Sequence, residues 1–440
     1  MAVRFKPFDP KYLQDPYPTY ARLREQAPVQ RVRVAPTQVA RMLWRFSRMR
    51  KAAGEPGLFR TAFEIRRNRS KEPKSSPDLN RLRRSLYAVS THADVTHVLR
   101  HPEIYSSAAM GGQNPGGGSE ASPTQGSLIG LDPPEHGEHR AIVNRGFTPR
   151  RVADLEPAVR KFADELVSKI EMRESCDLVE EFANPLPVGV IAELLGLDPA
   201  RRDDFKRWST ALIIGSTQGG GPRFELLREF RAYMTQVVEE RRRDPADDLI
   251  SLLVNAEERE SILDAEQVVG FATLLLAAGS ETTTNWIGNT LLALRDQPEL
   301  NAALRADPSR VPEVLEESLR FDSPVQLLMR LVLRDTELHG VPIPEGSMVF
   351  VLLGSANRDE AAFQRASEFD VERGAQAHLG FGFGNHFCLG ASLARLEARV
   401  ALETLFERLP DWEISETVVP RHGSFLIRGP ATLPMRRVVR

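Results

Sequence analysis

The sequence predicts a mainly α-helical protein with small β-sheets, folded as a single domain over residues 1–440. Three observations lead to this fold class: most of the chain has helix-forming composition, strand-like alternation is confined to short stretches, and no linker-like segment divides the chain. The longest helical run begins near Asp264, which resembles a capping box with Gln267, and ends at about Arg295. Such a helix is roughly 45 Å long at about 1.5 Å per residue, so it crosses the whole molecule.

The other elements follow from local patterns in chain order. They are an N-terminal strand at 29–34, its partner strand at 85–90, a helix around 94–100, amphipathic helices between 150 and 253 with a glycine-rich break at 219–222, short strands near 332–338 and 348–353, and a final helix from Ala391 to Pro410.

The composition excludes several classes of function. The chain has 440 residues and a formal net charge of −2, which favours neither nucleic acid nor a strongly charged partner. An apolar fraction of 41% is ample for a large core, while no stretch of about 18 apolar residues is present that would span a membrane. The N-terminal residues lack the apolar core of a signal peptide, and there are only two cysteines, so we expect a cytoplasmic, reducing location.

Residues 36–84 form an unusual basic insertion in the N-terminal β-hairpin, between the two predicted strands. From Arg41 to Arg84 there are 14 Lys and Arg but 4 Asp and Glu, a net charge of +10. Apolar residues at helical spacing from 39 to 49 are typical of a basic amphipathic helix. Two interpretations stay open: a solvated helix that packs on the domain, or a peripheral contact surface for anionic lipid or an acidic partner. The low-complexity stretch 110–125 is predicted to be a mobile loop.

Cys388 is the most informative candidate residue. It lies in the glycine-rich turn from Phe381 to Gly390 (FGFGNHFCLG), which opens into the helix predicted from Ala391. Because the chain has one other cysteine, Cys176, no disulfide framework is expected. The unpaired amides at a helix N-terminus stabilise a thiolate. The pattern therefore favours a single metal-bound thiolate over the alternative of a buried structural cysteine.

The spacing Phe381-x-x-Gly384-x-x-x-Cys388-x-Gly390 resembles the haem-binding loop of the cytochrome P450 monooxygenases, of the soluble bacterial type. This resemblance implies that family's fold, in which haem b lies between the long central helix and the Cys loop with its following helix. Cys388 would supply the axial thiolate. Gly384 and Gly390 would let the flat macrocycle approach the backbone, and Phe381 would help to exclude water.

The same resemblance gives roles to the middle of the long helix. Ala278-Gly279-Ser280-Glu281-Thr282 matches the family's oxygen-binding groove, where the helix bulges beside the haem. Ala278 and Gly279 would leave room for dioxygen and substrate. Glu281 and Thr282 would be catalytic, Glu281 in proton delivery and Thr282 as a hydrogen-bond partner of dioxygen. Without the family, the stretch is also compatible with a buried helix that carries a satisfied threonine.

Further matches to the family concern the support of the cofactor and its loop. Three are predicted to be structural: Glu317 and Arg320, which match a Glu-x-x-Arg pair, and Arg373, the third member of that set. Haem propionates need cations or hydrogen-bond donors. The positions that match propionate partners are His136, Arg140, Arg330 and His386. Outside this pattern each would be an ordinary surface residue.

The resemblance also implies a substrate pocket and partners. Its predicted lining is Leu274, Ala277, Val325, Gln326, Leu327, Leu328 and Phe425. This mostly apolar lining predicts a lipophilic small molecule, such as a terpenoid, steroid, fatty acid or macrolide-like compound, oxidised with O2. Because no flavin or iron–sulfur motif is present, electrons are expected from a ferredoxin and its NAD(P)H ferredoxin reductase, with the ferredoxin on a basic face near Cys388. We expect a monomer and no nucleic-acid partner.

Two segments depart from the family's usual pattern, 36–84 and 110–125. Three alternatives to a ferredoxin-dependent monooxygenase stay open. One is a haem-thiolate binding or sensing protein without turnover. A second is a peroxide-driven peroxygenase, a class that usually lacks the acid–alcohol pair represented by Glu281 and Thr282. The third is a monooxygenase that is recruited to a membrane or to a carrier through its basic insertion.

Overall fold

The computed structural model describes residues 5–7, 9–32, 86–108, 110, 127–213, 222–260, 263–374 and 377–438. The predictions for the insertion 36–84, for the loop 110–125 except Met110, and for the glycine-rich break before Pro222 therefore lie outside the described residues. Within them, helices dominate and strands are short, which confirms the predicted fold class. None of the described helices combines the length and the apolar character that a membrane crossing needs.

The described helices run in chain order as follows: α1 (Pro10–Gln14), α2 (Tyr17–Gln26), α3 (His92–Arg100), α4 (Glu135–Asn144), α5 (Pro149–Asp154), α6 (Glu156–Ser168), α7 (Pro185–Leu194), α8 (Arg202–Ile213), α9 (Pro222–Arg243), α10 (Leu249–Glu260), α11 (Ala265–Arg295), α12 (Pro298–Ala306), α13 (Val311–Phe321), α14 (Leu353–Ala356) and α15 (Ala391–Arg408). A π-helical turn at Val179–Ala183 precedes α7.

The long helix α11 organises the molecule, as predicted. The Asp264 carboxylate accepts from the Gln267 amide, and the Gln267 side chain accepts from the Asp264 amide, both at 2.8 Å. This capping box satisfies amides that have no partner within the first helical turn. The helix has 31 residues, about 46 Å at 1.5 Å per residue. Helices α7, α8, α9, α13 and α15 pack around it, so most of its side chains are buried.

The described strands are β1 (Val29–Arg31), β2 (Leu86–Val89), β3 (Tyr105–Ser106), β4 (Ser175–Asp177), β5 (Leu328–Val332), β6 (Thr336–Leu338), β7 (Val341–Ile343), β8 (Met348–Val351), β9 (Trp412–Ile414) and β10 (Pro434–Arg437). They form a five-stranded sheet in the order β1-β2-β8-β5-β3, a three-stranded sheet β4-β10-β9 and a hairpin β6-β7. β1 and β2 pair antiparallel with Val29 opposite Val89, which confirms the predicted N-terminal pairing.

Two predicted strands need correction. The strand expected at 332–338 begins earlier, at Leu328, because β5 pairs antiparallel with β8 from Leu328 opposite Val351 onwards. Residues 336–338 belong instead to the separate β6-β7 hairpin. The strand expected at 348–353 ends at Val351, since Leu353 already starts the short helix α14.

Most buried apolar side chains form one continuous cluster around α11, with members from Leu128 to Met435. A second cluster lies between the five-stranded sheet and α3. A third joins the N-terminal helices to the other side of that sheet, where Tyr12 and Tyr20 pack near Leu327 and Phe350. The sheet is thus covered on both sides, and its strand β5 leads directly from α13 towards the candidate site.

Candidate active site

The loop before α15 holds Cys388 in a fixed backbone geometry. The Cys388 amide donates to the Phe381 carbonyl at 2.8 Å, which closes the loop. Gly382 and Gly384 have φ of +74° and +71°, values that residues with side chains rarely adopt. A Cβ at Gly384 would also lie 3.0 Å from the Leu99 carbonyl oxygen. Glycine at 384 is therefore required by the loop backbone itself, and its role in the approach of a flat group stays a prediction.

The Cys388 thiol is free and partly exposed, although protein surrounds it on most sides. Burial raises its pKa, while the Gly390 amide and the Arg140 guanidinium lower it. A Cβ on Gly390 would meet no atom within 4 Å, so there is open space beside this turn. Cys176, in contrast, is buried in β4, where burial raises its pKa to about 12. Cys388 is thus the cysteine that has both an accessible sulfur and a helix N-terminus behind it.

One face of α11 stays open in the middle of a buried helix. Ala278 is exposed, and Leu274, Gly279 and Thr282 are half-buried, whereas the residues on the other faces are buried. Because residues four apart lie on the same side of a helix, Leu274, Ala278 and Thr282 form one stripe. An internal helix face that is not covered by protein is the kind of concave surface that a ligand occupies.

This open face lies at the level of the Cys388 loop. One turn beyond Thr282, the Trp286 ring contacts the Phe381 ring edge-on, with 5.6 Å between the centroids. The Arg395 guanidinium, from the first turns of α15, lies 4.5 Å from the centroid of the same Phe381 ring. The prediction that Ala277 lines the substrate pocket needs correction, because this residue is fully buried. Its side chain is rotated about the helix axis by about 100° from that of Ala278 and packs into the core.

Glu281 and Thr282 use their polar atoms differently. The Thr282 hydroxyl donates to the Ala278 carbonyl at 2.7 Å, so its oxygen keeps lone pairs that can accept a hydrogen bond. Burial raises the pKa of Glu281 to about 7, although the charge of Lys206 and a hydrogen bond with Asn285 lower it. The helix remains α-helical here. The bulge predicted beside Gly279 is therefore absent from this described helix, in which the Thr282 and Thr283 hydroxyls donate to carbonyls four residues earlier.

His136 and His386 form a pair beside the loop. Their rings are tilted with 4.2 Å between centroids. Burial lowers the pKa of His136 to about 4 and that of His386 to about 3, with further lowering by nearby positive groups. His386 Nε2 is 2.9 Å from the Ser107 hydroxyl. Among the described residues, the buried Nε2 of His136 has no hydrogen-bond partner. A buried polar atom without a partner indicates a group that the protein is built to receive.

The two arginines predicted to hold propionates have different surroundings. Arg330 is buried in β5, donates to the Met329 carbonyl at 2.9 Å, and burial lowers its pKa to about 10. Arg140 donates to the Asn385 carbonyl at 2.8 Å and to the Phe387 carbonyl at 2.6 Å. Arg140 therefore braces the Cys388 loop with two of its donors, and its predicted contact with a propionate stays a prediction.

Glu317 and Arg320 form the buried pair of α13. Arg320 is 2% exposed and donates to both Glu317 oxygens, at 2.8 and 2.7 Å. Its remaining donors go to the carbonyls of Asn357, Ala366 and Glu368, at 2.8, 2.8 and 2.7 Å. All five N–H groups of the guanidinium are thereby used. Arg373 Nε lies 3.6 Å from Glu317 Oε1. The set joins α13 to the segment that leads into the Cys388 loop.

The predicted pocket residues separate into two groups. Leu274, Val325 and Leu328 are half-buried and are available to an internal space. Three others turn towards the N-terminal helices: Gln326 accepts from the Tyr20 hydroxyl at 3.1 Å, and Leu327 and Phe425 pack in the same cluster. Gln326 and Leu327 are buried there, so the predictions for these two are corrected to scaffold positions. Phe425 is half-buried, and its place in the pocket stays a prediction.

Two further residues belong to the site, although no motif identified them. Glu397 is 2% exposed on α15; burial raises its pKa, opposed by a hydrogen bond with Thr283 of α11. The hydrogen bond with Thr283 lowers the pKa because the hydroxyl donates to the carboxylate, and the same hydroxyl lies 3.0 Å from the Gly279 carbonyl oxygen. The sequence signal that could have identified Glu397 is an acidic residue inside the apolar face of a helix. His422, the second residue, lies 3.6 Å from Glu281, and only tertiary structure brings it there.

The chain is similar to known proteins over most of its length. The model of the family Cytochrome P450 matches residues 221–424. Cytochrome P450 107B1 of Saccharopolyspora erythraea is 35% identical, over 98% of this chain and 96% of that protein. Erythromycin C-12 hydroxylase of the same species is 41% identical, over 80% and 89%. The solved cytochrome P450 CYP109Q5 from Chondromyces apiculatus has a TM-score of 0.81 and 38% identity, with 100% of both chains covered.

The chain belongs to the cytochrome P450 family. It is thus an oxidoreductase of the monooxygenase class, and its cofactor is haem b with a cysteine thiolate as axial ligand, as predicted. The residues present fit such a group. Open space adjoins Gly390, one face of α11 is uncovered, and the buried Nε2 of His136 has no partner in the described part of the chain.

Proposed function

We propose that this chain, as one domain over residues 1–440, is a haem-thiolate monooxygenase that inserts one atom of O2 into a lipophilic small molecule by hydroxylation or epoxidation. Cys388 is the axial ligand. The observation that carries the assignment is its free, accessible thiol, held by a closed loop at the start of α15 next to the open face of α11. Haem b supplies the activation of dioxygen when bound, helped by electron donation from the thiolate.

The chain's own residues hold the cofactor in this proposal. His136, His386 and Arg330 bind the propionates in this proposal, because His136 and Arg330 are buried, the two imidazole rings lie 4.2 Å apart, and the charge of Arg330 acts on His386. Arg140 keeps the Cys388 loop in shape through its two carbonyl contacts and lowers the pKa of the thiol. The Glu317, Arg320 and Arg373 set supports the approach to that loop and takes no part in the chemistry.

Glu281 and Thr282 are the catalytic side chains in this proposal. The Thr282 hydroxyl donates a hydrogen bond to the Ala278 carbonyl, so its oxygen is left to accept a hydrogen bond from the reacting group and keeps that group oriented. Glu281 exchanges a proton at its carboxylate near neutral pH, because burial raises its pKa to about 7. Ala278 and Gly279 leave the space in which dioxygen and the substrate meet.

The substrate class follows from the lining of the internal space. Leu274, Val325 and Leu328 are apolar and half-buried, which supports a substrate that gains free energy by leaving water. The name of one relative, erythromycin C-12 hydroxylase, gives erythromycin as that enzyme's substrate. We therefore propose a moderately large lipophilic compound of secondary metabolism, with macrolide-like, terpenoid, steroid and fatty-acid molecules as the first set to test.

Electrons reach the site from a separate protein in this proposal. The chain has two cysteines in all, so it holds no iron–sulfur cluster of four cysteine ligands. A ferredoxin with its NAD(P)H ferredoxin reductase fits this requirement. The docking surface proposed for the acidic ferredoxin is the loop face, where Arg100 lies 4.8 Å from the centroid of the Phe383 ring and Phe387 is 42% exposed. A reducing, cytoplasmic location and a monomeric state complete the proposal.

The function is tested by adding the purified protein to a surrogate ferredoxin pair with NADPH and a panel of lipophilic compounds. A high-spin shift of the haem spectrum selects the compounds that bind, and product analysis follows. We expect oxygenated product that depends on NADPH, on ferredoxin and on O2. Product with hydrogen peroxide alone, at a rate that NADPH and ferredoxin do not exceed, identifies a peroxygenase. Binding without product in either assay contradicts the proposed turnover.

Thr282→Ala is expected to uncouple oxygen consumption from product formation. The substitution removes the oxygen atom that accepts the hydrogen bond and opens one further gap on the exposed face of α11. We expect product per NADPH to fall by roughly tenfold or more, within the range that a positioned proton-transfer group contributes, with the reduced carbon monoxide spectrum unchanged. Thr235→Ala on α9 is the control, since its hydroxyl also donates to a carbonyl four residues earlier, but on the surface. Unchanged coupling in Thr282→Ala removes the assigned role.

A further inference from the structure

A C-terminal hairpin, residues 421–430, lies across the middle of α11. Arg421 and Pro430 form a β-bridge, and the His422 amide donates to the Gly429 carbonyl at 3.1 Å. The hairpin approaches α11 so closely that a Cβ on Gly429 would lie 2.0 Å from the Asn285 Oδ1 atom. A Cβ on Gly288 of the helix would likewise lie 2.5 Å from Pro430. The absence of side chains at these two glycines therefore determines how near the hairpin lies.

Arg421 fixes the position of the residue that follows it. Its guanidinium donates to Asn289 Oδ1 at 2.5 Å and to Asp322 Oδ2 at 3.0 Å. The Asn289 amide in turn donates to the Arg428 carbonyl at 3.0 Å, on the other strand of the hairpin. These contacts join α11, α13 and the hairpin in one buried network. The backbone of His422 is thereby held at one place beside α11.

The imidazole of His422 faces the carboxyl group of Glu281. His422 Nε2 lies 3.6 Å from Glu281 Oε1, just beyond hydrogen-bond distance. The His422 side chain is 13% exposed and that of Glu281 is 4% exposed, so the imidazole is the more accessible group. Within the described residues, the buried His422 Nε2 has no hydrogen-bond partner. A small rotation of either side chain brings the two atoms into contact.

The charges around the pair favour proton exchange over a fixed ion pair. Burial and the neighbouring Arg421 lower the pKa of His422 to about 4, so the imidazole is neutral at physiological pH. Burial raises the pKa of Glu281 to about 7. Lys206 of α8 is the other charged group that acts on Glu281, and its ammonium lies 3.8 Å from Glu180. On α11 itself a hydrogen bond with the uncharged side-chain amide of Asn285 lowers the pKa of Glu281.

We propose that His422 is the residue that passes protons from the protein surface to Glu281, which makes the 421–430 hairpin part of the proton path of the reaction. In this relay the imidazole Nε2–H bond breaks and an Oε1–H bond forms on the Glu281 carboxylate, while Nδ1 takes a proton from a water molecule, which leaves as hydroxide into the solvent. The ring is neutral before and after the transfer, and exchange with water restores the first tautomer. The inference rests on the proposed function, in which Glu281 delivers protons.

Substitution of His422 tests the relay in the holoenzyme. His422→Phe keeps a planar ring without nitrogen, and His422→Gln keeps a hydrogen-bonding group that carries no transferable proton. In both variants we expect product formation with NADPH and ferredoxin to fall by roughly tenfold above pH 7, because Glu281 is ionised there and must be reprotonated for each turnover. At pH 6 the loss of product formation should be smaller. The solvent deuterium isotope effect should increase. His101→Phe, a 40% exposed histidine beside Glu103, is the control and should match the wild type.

A second measurement tests the contact without turnover. Histidine nitrogen NMR of the diamagnetic reduced carbon monoxide complex should show that the His422 resonance shifts near pH 7, as Glu281 ionises, and that Glu281→Gln removes this step. No step near pH 7, together with His422 variants that equal the wild type at every pH, overturns the relay. A wild type without NADPH-driven product overturns the proposed function instead, and the NMR titration then decides separately whether the two residues are coupled.

Discussion

Cys388→Ser should abolish the red-shifted Soret band that the reduced wild-type protein shows with carbon monoxide. The band depends on electron donation from a thiolate, and a serine hydroxyl at this place is neither a thiolate nor a strong donor. Turnover should fall by more than the roughly 10- to 100-fold that loss of an outer-shell partner causes at a metal site. The loop should keep its shape, because its closing bond uses the backbone amide of residue 388 and the Phe381 carbonyl.

Cys176→Ser is the matched control for this substitution. Cys176 is the chain's other cysteine and is buried in β4, where burial raises the pKa of its thiol to about 12. The variant should retain the red-shifted band and the haem content of the wild type, with a modest loss of stability. A red-shifted band that survives in Cys388→Ser and disappears in Cys176→Ser contradicts the assignment of the ligand.

Arg320→Lys should destabilise the folded protein by about 3–5 kcal/mol, the range measured when one partner of a buried ion pair is removed. A lysine ammonium has three donors and cannot reproduce the planar fork that serves both Glu317 oxygens and three carbonyls. Buried acceptors are then left without partners. Urea denaturation followed by circular dichroism measures the free energy of unfolding, and haem content should fall with it.

Arg310→Lys is the matched control for Arg320→Lys. Arg310 also pairs with a glutamate three residues away, Glu313, at 2.9 Å, and it contacts Glu372 at 2.6 Å, but its side chain is 42% exposed. Exposed pairs contribute about 0–1 kcal/mol, so the free energy of unfolding should change by less than about 1 kcal/mol. Similar losses in the two variants would show that burial of the Arg320 network is not what stabilises this region.

Elements defined by neighbouring residues could be predicted from the sequence. The start of α11 follows from the Asp264–Gln267 capping box, since a cap involves residues within one helical turn. The Cys388 loop also follows from a short run, in which glycines at positive φ allow the turn. The strand near residue 332 was misplaced because its limits depend on pairing with β8, which lies farther along the chain. Local alternation does not contain that information.

The side-chain directions in the site were harder to predict for the same reason. Ala277 and Ala278 are both small and apolar, yet one is buried and the other is exposed to the internal space. Gln326 has the position expected of a pocket residue, but its amide bonds to Tyr20 and to the Ser323 carbonyl. Arg140 matches a propionate partner, but the sequence did not show that two of its donors hold loop carbonyls. In each case a contact with a distant segment determines which way the side chain points.

The sequence by itself determined the family, the thiolate loop at Cys388 and the helix that faces it, because each depends on residues close together along the chain. Only the tertiary structure decided what surrounds those elements. It brings His422 to Glu281, because the 421–430 hairpin packs closely on α11 at Gly288 and Gly429. It also buries Glu397 against Thr283. Burial sets the proton affinity of such groups, and burial is a property of the packed molecule that no short stretch of sequence contains.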